Sequence, residues 1–130
     1  MGKKPIIIVG GEPNSIFLEI FFKSLKTNSY KSPLIIIISK KLLKEQMKKL
    51  GFAFKINDID KNLKDFSKLD NGKINLINVD YQFKNCFERI TNKSNSYIEE
   101  TFKIALDFIK QNNLSKFING PISKKSFLRG

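Results

Sequence analysis

Short apolar runs alternate along the chain with segments of helical periodicity. The runs at Lys4–Val9 and Leu34–Ile38 are rich in isoleucine, and such continuous apolar stretches are typical of strands buried on both faces of a sheet. Three further runs, at Phe52–Ile56, Lys73–Val79 and Ser115–Ile118, have the length and composition of strands. The pattern therefore predicts five strands.

Helical segments fill the intervals between several of these strands. Ile16–Lys26 carries apolar residues around most of a helical circumference, which predicts a helix covered on more than one side. A second helix, with one apolar face, is delimited by Ser39 as its N-cap and Gly51 as its left-handed stop. Ser96–Glu99 has the form of a capping box and predicts the start of a third helix, which closes near Asn113.

This order of elements predicts the fold class. Strands that alternate with helices imply right-handed β-α-β crossovers, so we expect an α/β fold with a mostly parallel sheet and helices on both faces. A length of 130 residues without a Pro- or Gly-rich linker fits one α/β domain, or the N-terminal part of a longer protein. The apolar runs are far shorter than the roughly 20 residues of a membrane span, and no secretory signal is visible. We therefore expect a cytoplasmic protein that does not enter a membrane.

Two residue counts exclude several chemistries. The chain has no histidine, so it cannot build a Ser-His-Asp or Cys-His nucleophile or an imidazole metal site. Its single cysteine, Cys86, is expected to be a buried structural thiol. Four acids, at positions 58, 60, 65 and 70, depart from the spacing of a calcium loop and are expected to be solvated.

The formal net charge of +12 raises nucleic acid as a partner. Of the 24 basic residues, however, only Arg89 and Arg129 are arginine, the residue best suited to phosphate and base edges, and the lysines are scattered. We therefore interpret the charge mainly as solvated lysine and regard nucleic acid as an unlikely partner. A small basic binding module for RNA or another polyanion, without catalysis, stays open as the alternative hypothesis.

Two loops follow predicted strands and could carry a site. Gly10-Gly11-Glu12-Pro13 follows the first strand, and Asn119-Gly120-Pro121 follows the fifth and leads through Lys124 into a predicted helix at residues 122–128. In an open parallel sheet, ligands bind beyond the carboxyl ends of the strands. Neither loop matches a dinucleotide fingerprint or a phosphate loop, and each by itself is better explained as a tight turn than as a binding site. Two such loops on neighbouring strands would support a binding site more strongly than either loop alone.

Together the two loops resemble motifs of the 4-hydroxythreonine-4-phosphate dehydrogenase family. Gly11-Glu12-Pro13, with Glu19 following six residues after Pro13, is similar to the family's opening Gly-Asp-Pro or Gly-Glu-Pro motif. The stretch Asn119-Gly120-Pro121-Ile122-Ser123-Lys124 is similar to its Thr-Gly-Pro-Ile-Asn-Lys stretch. The separation of the two motifs also fits, and the resemblance covers all 130 residues but only the N-terminal part of a longer family chain.

The resemblance implies a fold like that of isocitrate and isopropylmalate dehydrogenases, in a homodimer. It also implies NAD-dependent oxidation of a phosphorylated hydroxy amino acid, followed by decarboxylation, in the biosynthesis of pyridoxal 5′-phosphate. In the family, a divalent metal is held by histidines downstream of the second motif, and the main NAD contacts also lie later. We therefore expect that these 130 residues bind neither NAD nor the metal fully and are inactive alone.

The same resemblance implies which residues contact substrate. It assigns no catalytic or metal-binding residue to this chain, and it implies substrate contacts from Gly11, Glu12, Gly120, Pro121 and Lys124. A phosphate-sugar or nucleotide domain of another α/β family is a third possibility, which rests on fold analogy alone.

Overall fold

A computed structural model describes residues 4–10, 17–27, 33–70, 72–81, 92–114 and 117–119 of the chain. These residues form five strands, three α-helices and one turn of 3-10 helix. In chain order the elements are β1 (Ile6–Val9), α1 (Phe17–Thr27), β2 (Leu34–Ile38), α2 (Lys40–Leu50), β3 (Ile56–Asp58), the 3-10 turn (Phe66–Lys68), β4 (Ile74–Asn78), α3 (Asn92–Asn112) and β5 (Phe117–Asn119).

The five strands form one sheet in the order β3-β4-β2-β1-β5, and every pairing in it is parallel. The isoleucine-rich strands β1 and β2 lie side by side near the middle, with Ile7 opposite Ile35. Both of these residues are fully buried, as expected for strands covered on both faces. The predicted parallel sheet is confirmed.

The helices cover both faces of this sheet. The connections through α1 and α2 run towards β3, whereas the connection through α3 runs back towards β5, and right-handed crossovers in opposite directions lie on opposite faces. The contacts agree, because α1 packs against α2, and α3 packs against β1 and β2. The 3-10 turn lies on the α3 side, where the rings of Phe66 and Phe108 are 6.5 Å apart.

Helix α2 has the termini that the sequence predicts. The Ser39 hydroxyl accepts a hydrogen bond from the backbone N–H of Leu42 at 3.2 Å, and Gly51 adopts the left-handed φ of 79°. The backbone N–H of Phe52 then donates to the carbonyl of Met47 at 2.9 Å, which closes the helix end. Helix α3 also ends where predicted, with Asn113 at a left-handed φ of 53°.

Three predictions about element boundaries and burial are wrong. The third strand begins at Ile56 rather than Phe52, because the backbone N–H groups of Phe52 and Phe54 are bonded to Met47 of α2 instead of to the sheet. Helix α1 leaves Ile20 exposed over 56% of its surface, so it is covered on fewer sides than its apolar residues suggest.

The third correction concerns the predicted capping box at Ser96–Glu99. Helix α3 already begins at Asn92, one turn earlier. The backbone N–H groups after Ser96 therefore have partners within the helix and need no cap. Among the described residues, no helix is both long enough and apolar enough to cross a membrane.

Candidate functional site

The first and last strands of the chain are neighbours in the sheet. β1 and β5 pair in parallel, with Ile7 opposite Phe117 and Val9 opposite Asn119. Neighbouring strands are about 4.8 Å apart, so β1 and β5 end side by side, at Val9 and Asn119, at the carboxyl end of the sheet. The strands that precede the two candidate loops are therefore neighbours in the sheet, as a shared binding site would require.

The five predicted substrate-binding residues directly follow these strand ends. Gly11 and Glu12 come after Gly10, and Gly120, Pro121 and Lys124 come after Asn119, but all five lie outside the described residues. Their roles stay predictions. Cys86 and the predicted helix at residues 122–128 also lie outside the described part of the chain.

Gly10 shows how tightly this edge of the sheet is packed. Its backbone N–H donates to the carbonyl of Ile37 at 3.2 Å, which continues the β1–β2 ladder by one residue. A Cβ atom at this position would lie 2.7 Å from Cδ1 of Ile38. Glycine therefore allows the chain to leave β1 close against β2, whatever the next residues bind.

The carboxyl ends of four strands line up along this edge. Asn78 of β4 is opposite Ile38 of β2, Ile37 of β2 is opposite Val9 of β1, and Val9 is opposite Asn119 of β5. β2 leads into α2 on one face, whereas β4 leads towards α3 on the other. In open α/β sheets, ligands bind where neighbouring strands lead to helices on opposite faces in this way.

The residues where β2 and β4 diverge form a hydrogen-bonded cluster. The Tyr97 hydroxyl accepts from the backbone N–H of Ser39 at 2.8 Å, and Oδ1 of Asn78 accepts from the backbone N–H of Lys40 at 2.8 Å. The Ser39 hydroxyl accepts from Leu42, as described above. A free helix N-terminus favours anions, but here the chain's own side chains already accept from the backbone N–H groups of Ser39, Lys40 and Leu42. These backbone N–H groups at the start of α2 are therefore bonded within the protein and do not form an open anion site.

Tyr97 has the most strongly shifted pKa in this cluster. Burial raises the pKa of its hydroxyl well above the ordinary value, and the hydrogen bond from Ser39 opposes this only partly. Its ring lies 4.8 Å from that of Tyr81, which is also buried. Tyr97 therefore stays neutral at physiological pH.

Charged side chains at this edge are paired or solvated. Nζ of Lys40 lies 2.8 Å from Oδ2 of Asp58, and Nδ2 of Asn78 donates to Asp80 at 3.1 Å. Lys40, Asp58 and Asp80 all retain access to water. An exposed pair of this kind stabilises the fold by at most about 1 kcal/mol.

The described residues do not fit the metal that the family resemblance implies. No group of three or more metal-ligating side chains occurs among them, and the whole chain lacks histidine. Nor does the sequence carry a dinucleotide fingerprint. We therefore derive no chemical step through a metal or a nicotinamide from these residues.

Three of the loop acids hold turns, a role that the sequence analysis did not predict. Asp60, Asp65 and Asp70 each accept a hydrogen bond from the backbone N–H two residues further on, at 2.7, 3.1 and 2.8 Å. This is the geometry of an Asx turn. The hydrogen bond from the Ser67 hydroxyl, at 2.7 Å, is the main cause that lowers the pKa of Asp65.

Comparison with known proteins identifies the fold. The chain superposes with a TM-score of 0.80 on a 4-hydroxythreonine-4-phosphate dehydrogenase from Burkholderia phymatum, at 19% identity over 96% of this chain. It superposes with a TM-score of 0.78 on the 4-hydroxythreonine-4-phosphate dehydrogenase from Klebsiella pneumoniae, at 15% identity over 98% of this chain. This chain has the fold of 4-hydroxythreonine-4-phosphate dehydrogenases. No protein-family model and no curated protein matches the sequence.

The similarity covers only a part of those enzymes. The chain spans 38% of the Burkholderia phymatum structure and 40% of the Klebsiella pneumoniae structure. The resemblance to this family, which the sequence indicates through two short motifs, is thus confirmed at the level of the α/β fold. The likeness extends over a part of those longer structures.

Sequence reasoning missed the role of Tyr97. The tyrosines had no basic partner at an informative spacing, and Tyr97 contacts Ser39 across 58 positions of the chain. One local signal was present, since Tyr97 and Ile98 are adjacent apolar residues on a helix whose other face is charged. That signal indicates burial, but it does not identify the backbone group that the hydroxyl meets.

Proposed function

We propose that this chain is a segment of an oxidoreductase related to 4-hydroxythreonine-4-phosphate dehydrogenases, and that it supplies one wall of the cleft that binds the phosphorylated substrate. The observation that carries the proposal is the parallel pairing of β1 with β5, with Val9 opposite Asn119. The two motifs that resemble the family follow these strands directly. They are far apart in sequence and start from neighbouring positions at one edge of the sheet.

In this proposal the phosphorylated hydroxy amino acid contacts Gly11, Glu12, Gly120, Pro121 and Lys124. The Lys124 ammonium would meet the phosphate, and the glycines would let the backbone approach the ligand. NAD and a divalent metal, which would accept hydride and polarise the substrate, would bind on parts of the enzyme outside these 130 residues, in a homodimer. The reaction would be an oxidation followed by decarboxylation, in pyridoxal 5′-phosphate biosynthesis.

Amide chemical shifts of the 15N-labelled chain during titration with 4-hydroxythreonine 4-phosphate test the substrate wall. We expect shifts at Gly10 and Asn119, which flank the motifs. Lys124→Ala should weaken the binding at least about tenfold, since it removes the cation expected at the phosphate. Lys110→Ala is the matched control, because Lys110 is exposed in the last turn of α3, at the opposite edge of the sheet, and its loss should leave the affinity within about twofold.

Two results would contradict the proposal. Equal shifts with the unphosphorylated amino acid, or no shifts at Gly10 and Asn119, would remove the substrate wall. Reduction of NAD by the 130-residue chain with substrate and a divalent metal would contradict the assignment of both cofactor sites to the rest of the enzyme.

A further inference from the structure

Strand β3 forms an edge of the described sheet. The backbone N–H and C=O groups of its odd-numbered residues point towards β4. The carbonyl of Lys55 accepts a hydrogen bond from the N–H of Ile74 at 2.8 Å, and the N–H of Ile59 donates to the carbonyl of Leu76 at 2.7 Å. Backbone groups alternate in direction along a strand, so those of Ile56 and Asp58 point away from the sheet. In the part of the chain that the structure describes, no strand lies beyond them. An edge of this kind is a template for an added strand.

A groove of about 440 Å³ runs beside this edge, between β3 and α2. The alternate residues Phe52, Phe54 and Ile56 form its apolar wall, and Met47 also lines it. These side chains are half-buried or buried, so they give an apolar surface that a partner's side chains could cover. Ile56 belongs both to the wall of the groove and to the open edge of β3.

The opposite wall of the groove is positively charged. Lys40, Lys44 and Lys48 lie one helical turn apart along α2, and the lining includes no acidic residue. Lys40 is paired with Asp58, whereas Lys44 and Lys48 have no acidic partner among the described residues. Four residues of helix rise about 6.0 Å, and two residues of strand advance about 6.7 Å. Acidic side chains at alternate positions of an extended peptide would therefore match this lysine spacing.

We propose that this groove and edge bind an extended, acidic peptide segment of a partner protein as an added strand beside β3. The peptide backbone bonds to Ile56 and Asp58, its acids meet Lys44 and Lys48, and the methylene stems of these acids pack on Phe52 and Phe54. Main-chain hydrogen bonds supply affinity in this mode of recognition, and the side-chain pockets supply specificity.

The observations favour a peptide over other occupants. A second copy of this chain, seated with its own groove on this one, would place the same lysine wall opposite Lys44 and Lys48, so like charges would repel there. A single-stranded nucleic acid needs exposed ring faces on which its bases stack. The Phe52 ring is instead in contact with the rings of Phe22 and Phe54, at 5.3 and 6.0 Å, and Nζ of Lys26 lies over it at 5.9 Å.

Fluorescence anisotropy with a labelled peptide that alternates glutamate and valine tests the proposal. Lys44→Ala with Lys48→Ala should weaken binding roughly fivefold, because it removes two surface ion pairs. Lys61→Ala with Lys64→Ala is the control of equal charge, since both lysines are exposed in the loop between β3 and β4, and it should change the affinity less than about twofold. Amide shifts at Ile56 and Asp58 should report the added strand, and N-methylation of alternate peptide residues should abolish binding.

Other outcomes would overturn the proposal. Equal binding of a peptide that alternates lysine and valine, or equal losses in the two double variants, would show that the groove has no specific role. Tighter binding of oligothymidine in the same groove, lost with Lys44→Ala and Lys48→Ala, would assign the groove to nucleic acid. A dimer that these two substitutions dissociate would assign the groove to a second copy.

Discussion

The hydroxyl of Tyr97 accepts a hydrogen bond from the backbone N–H of Ser39 at 2.8 Å, and both residues are buried. This contact joins α3, on one face of the sheet, to the first residues of α2, on the other. It lies at the carboxyl edge, where β2 and β4 diverge. The start of α2 is therefore fixed in place by a side chain from the helix on the other face of the sheet.

Tyr97→Phe should lower the free energy of unfolding by about 1–3 kcal/mol, because the buried N–H of Ser39 loses its acceptor. Urea denaturation measures the change. Thr101→Val is the control in the same helix, since the Thr101 hydroxyl donates to the carbonyl of Ile98 at 2.7 Å, and that carbonyl has a helical partner as well. An equal loss in the two variants would show that the Tyr97 contact has no special weight.

The stability of the protein should depend on the ionisation of Tyr97 at high pH. Its pKa in the folded state is raised above the ordinary value of 10.0, so the unfolded chain loses this proton first as the pH rises. The contribution of the buried neutral tyrosine is complete below about pH 10 and falls above it, by up to about 1.4 kcal/mol per pH unit.

Urea denaturation of the wild type and of Tyr97→Phe between pH 8 and pH 11 tests this dependence. The phenylalanine variant has no hydroxyl at position 97, so its stability should not fall above about pH 10 through ionisation there. The difference in the free energy of unfolding between the two proteins should therefore narrow. A constant difference across the range would mean that Tyr97 ionises equally easily in both states.

Gly10→Ala should destabilise the protein by about 1–3 kcal/mol, through overpacking against β2. The new methyl group would lie 2.7 Å from Cδ1 of Ile38 and 3.0 Å from its Cγ1. Adding Ile38→Val removes Cδ1, so the loss in the double variant should be smaller than the sum of the two single losses. Thermal denaturation of the wild type, the two single variants and the double variant measures this double-mutant cycle.

Gly72→Ala is the matched control for this substitution. Gly72 lies in an exposed turn, and the nearest atom to its added methyl would be Oδ1 of Asp70 at 3.2 Å. That side chain is exposed and can move, so we expect a change within about 0.5 kcal/mol. Additive losses in the Gly10 and Ile38 cycle would contradict the packing explanation.

Asn75→Leu should cost at least about 2 kcal/mol, because it removes a buried side chain that bonds three segments. Oδ1 of Asn75 accepts from Asn57 and from the N–H of Asp70, each at 2.9 Å, and Nδ2 donates to the carbonyl of Leu34 at 3.0 Å. Asn112→Leu is the control, because among the described residues Nδ2 of Asn112 donates one hydrogen bond, to the carbonyl of Phe108 at 3.1 Å. Guanidinium denaturation should give a clearly smaller loss for the control, and equal losses would contradict the role of the Asn75 network.

Local sequence was sufficient for the elements whose ends carry their own signals. Ser39 and Gly51 bound α2 because a hydroxyl cap and a left-handed glycine act within a few residues. Leu34–Ile38 was predicted to the residue, since a continuous apolar run has few other stable environments. The capping box at Ser96–Glu99 failed for a related reason: a short motif at a helix start is also compatible with a helix interior when the chain before it is helical.

The candidate site was predictable only as two separate loops. Each of the Gly10 and Asn119 segments follows a strand, but a local pattern cannot state which strands are neighbours. The Asn75 network, the Tyr97 contact and the edge groove beside β3 also join positions far apart in the chain. The hydrophobic periodicity around one residue of such a pair does not indicate which distant residue it contacts.

The order of residues alone determined that this chain forms alternating strands and helices, because buried runs, helical stripes and caps are properties of neighbouring positions. It also excluded histidine chemistry outright. The tertiary structure decided that β1 and β5 lie side by side, that the start of α2 is closed by Tyr97 and Asn78, and that β3 is left at an edge. These facts depend on how strands are ordered in the sheet, and that order is set by packing free energy summed over the whole chain rather than by any local pattern.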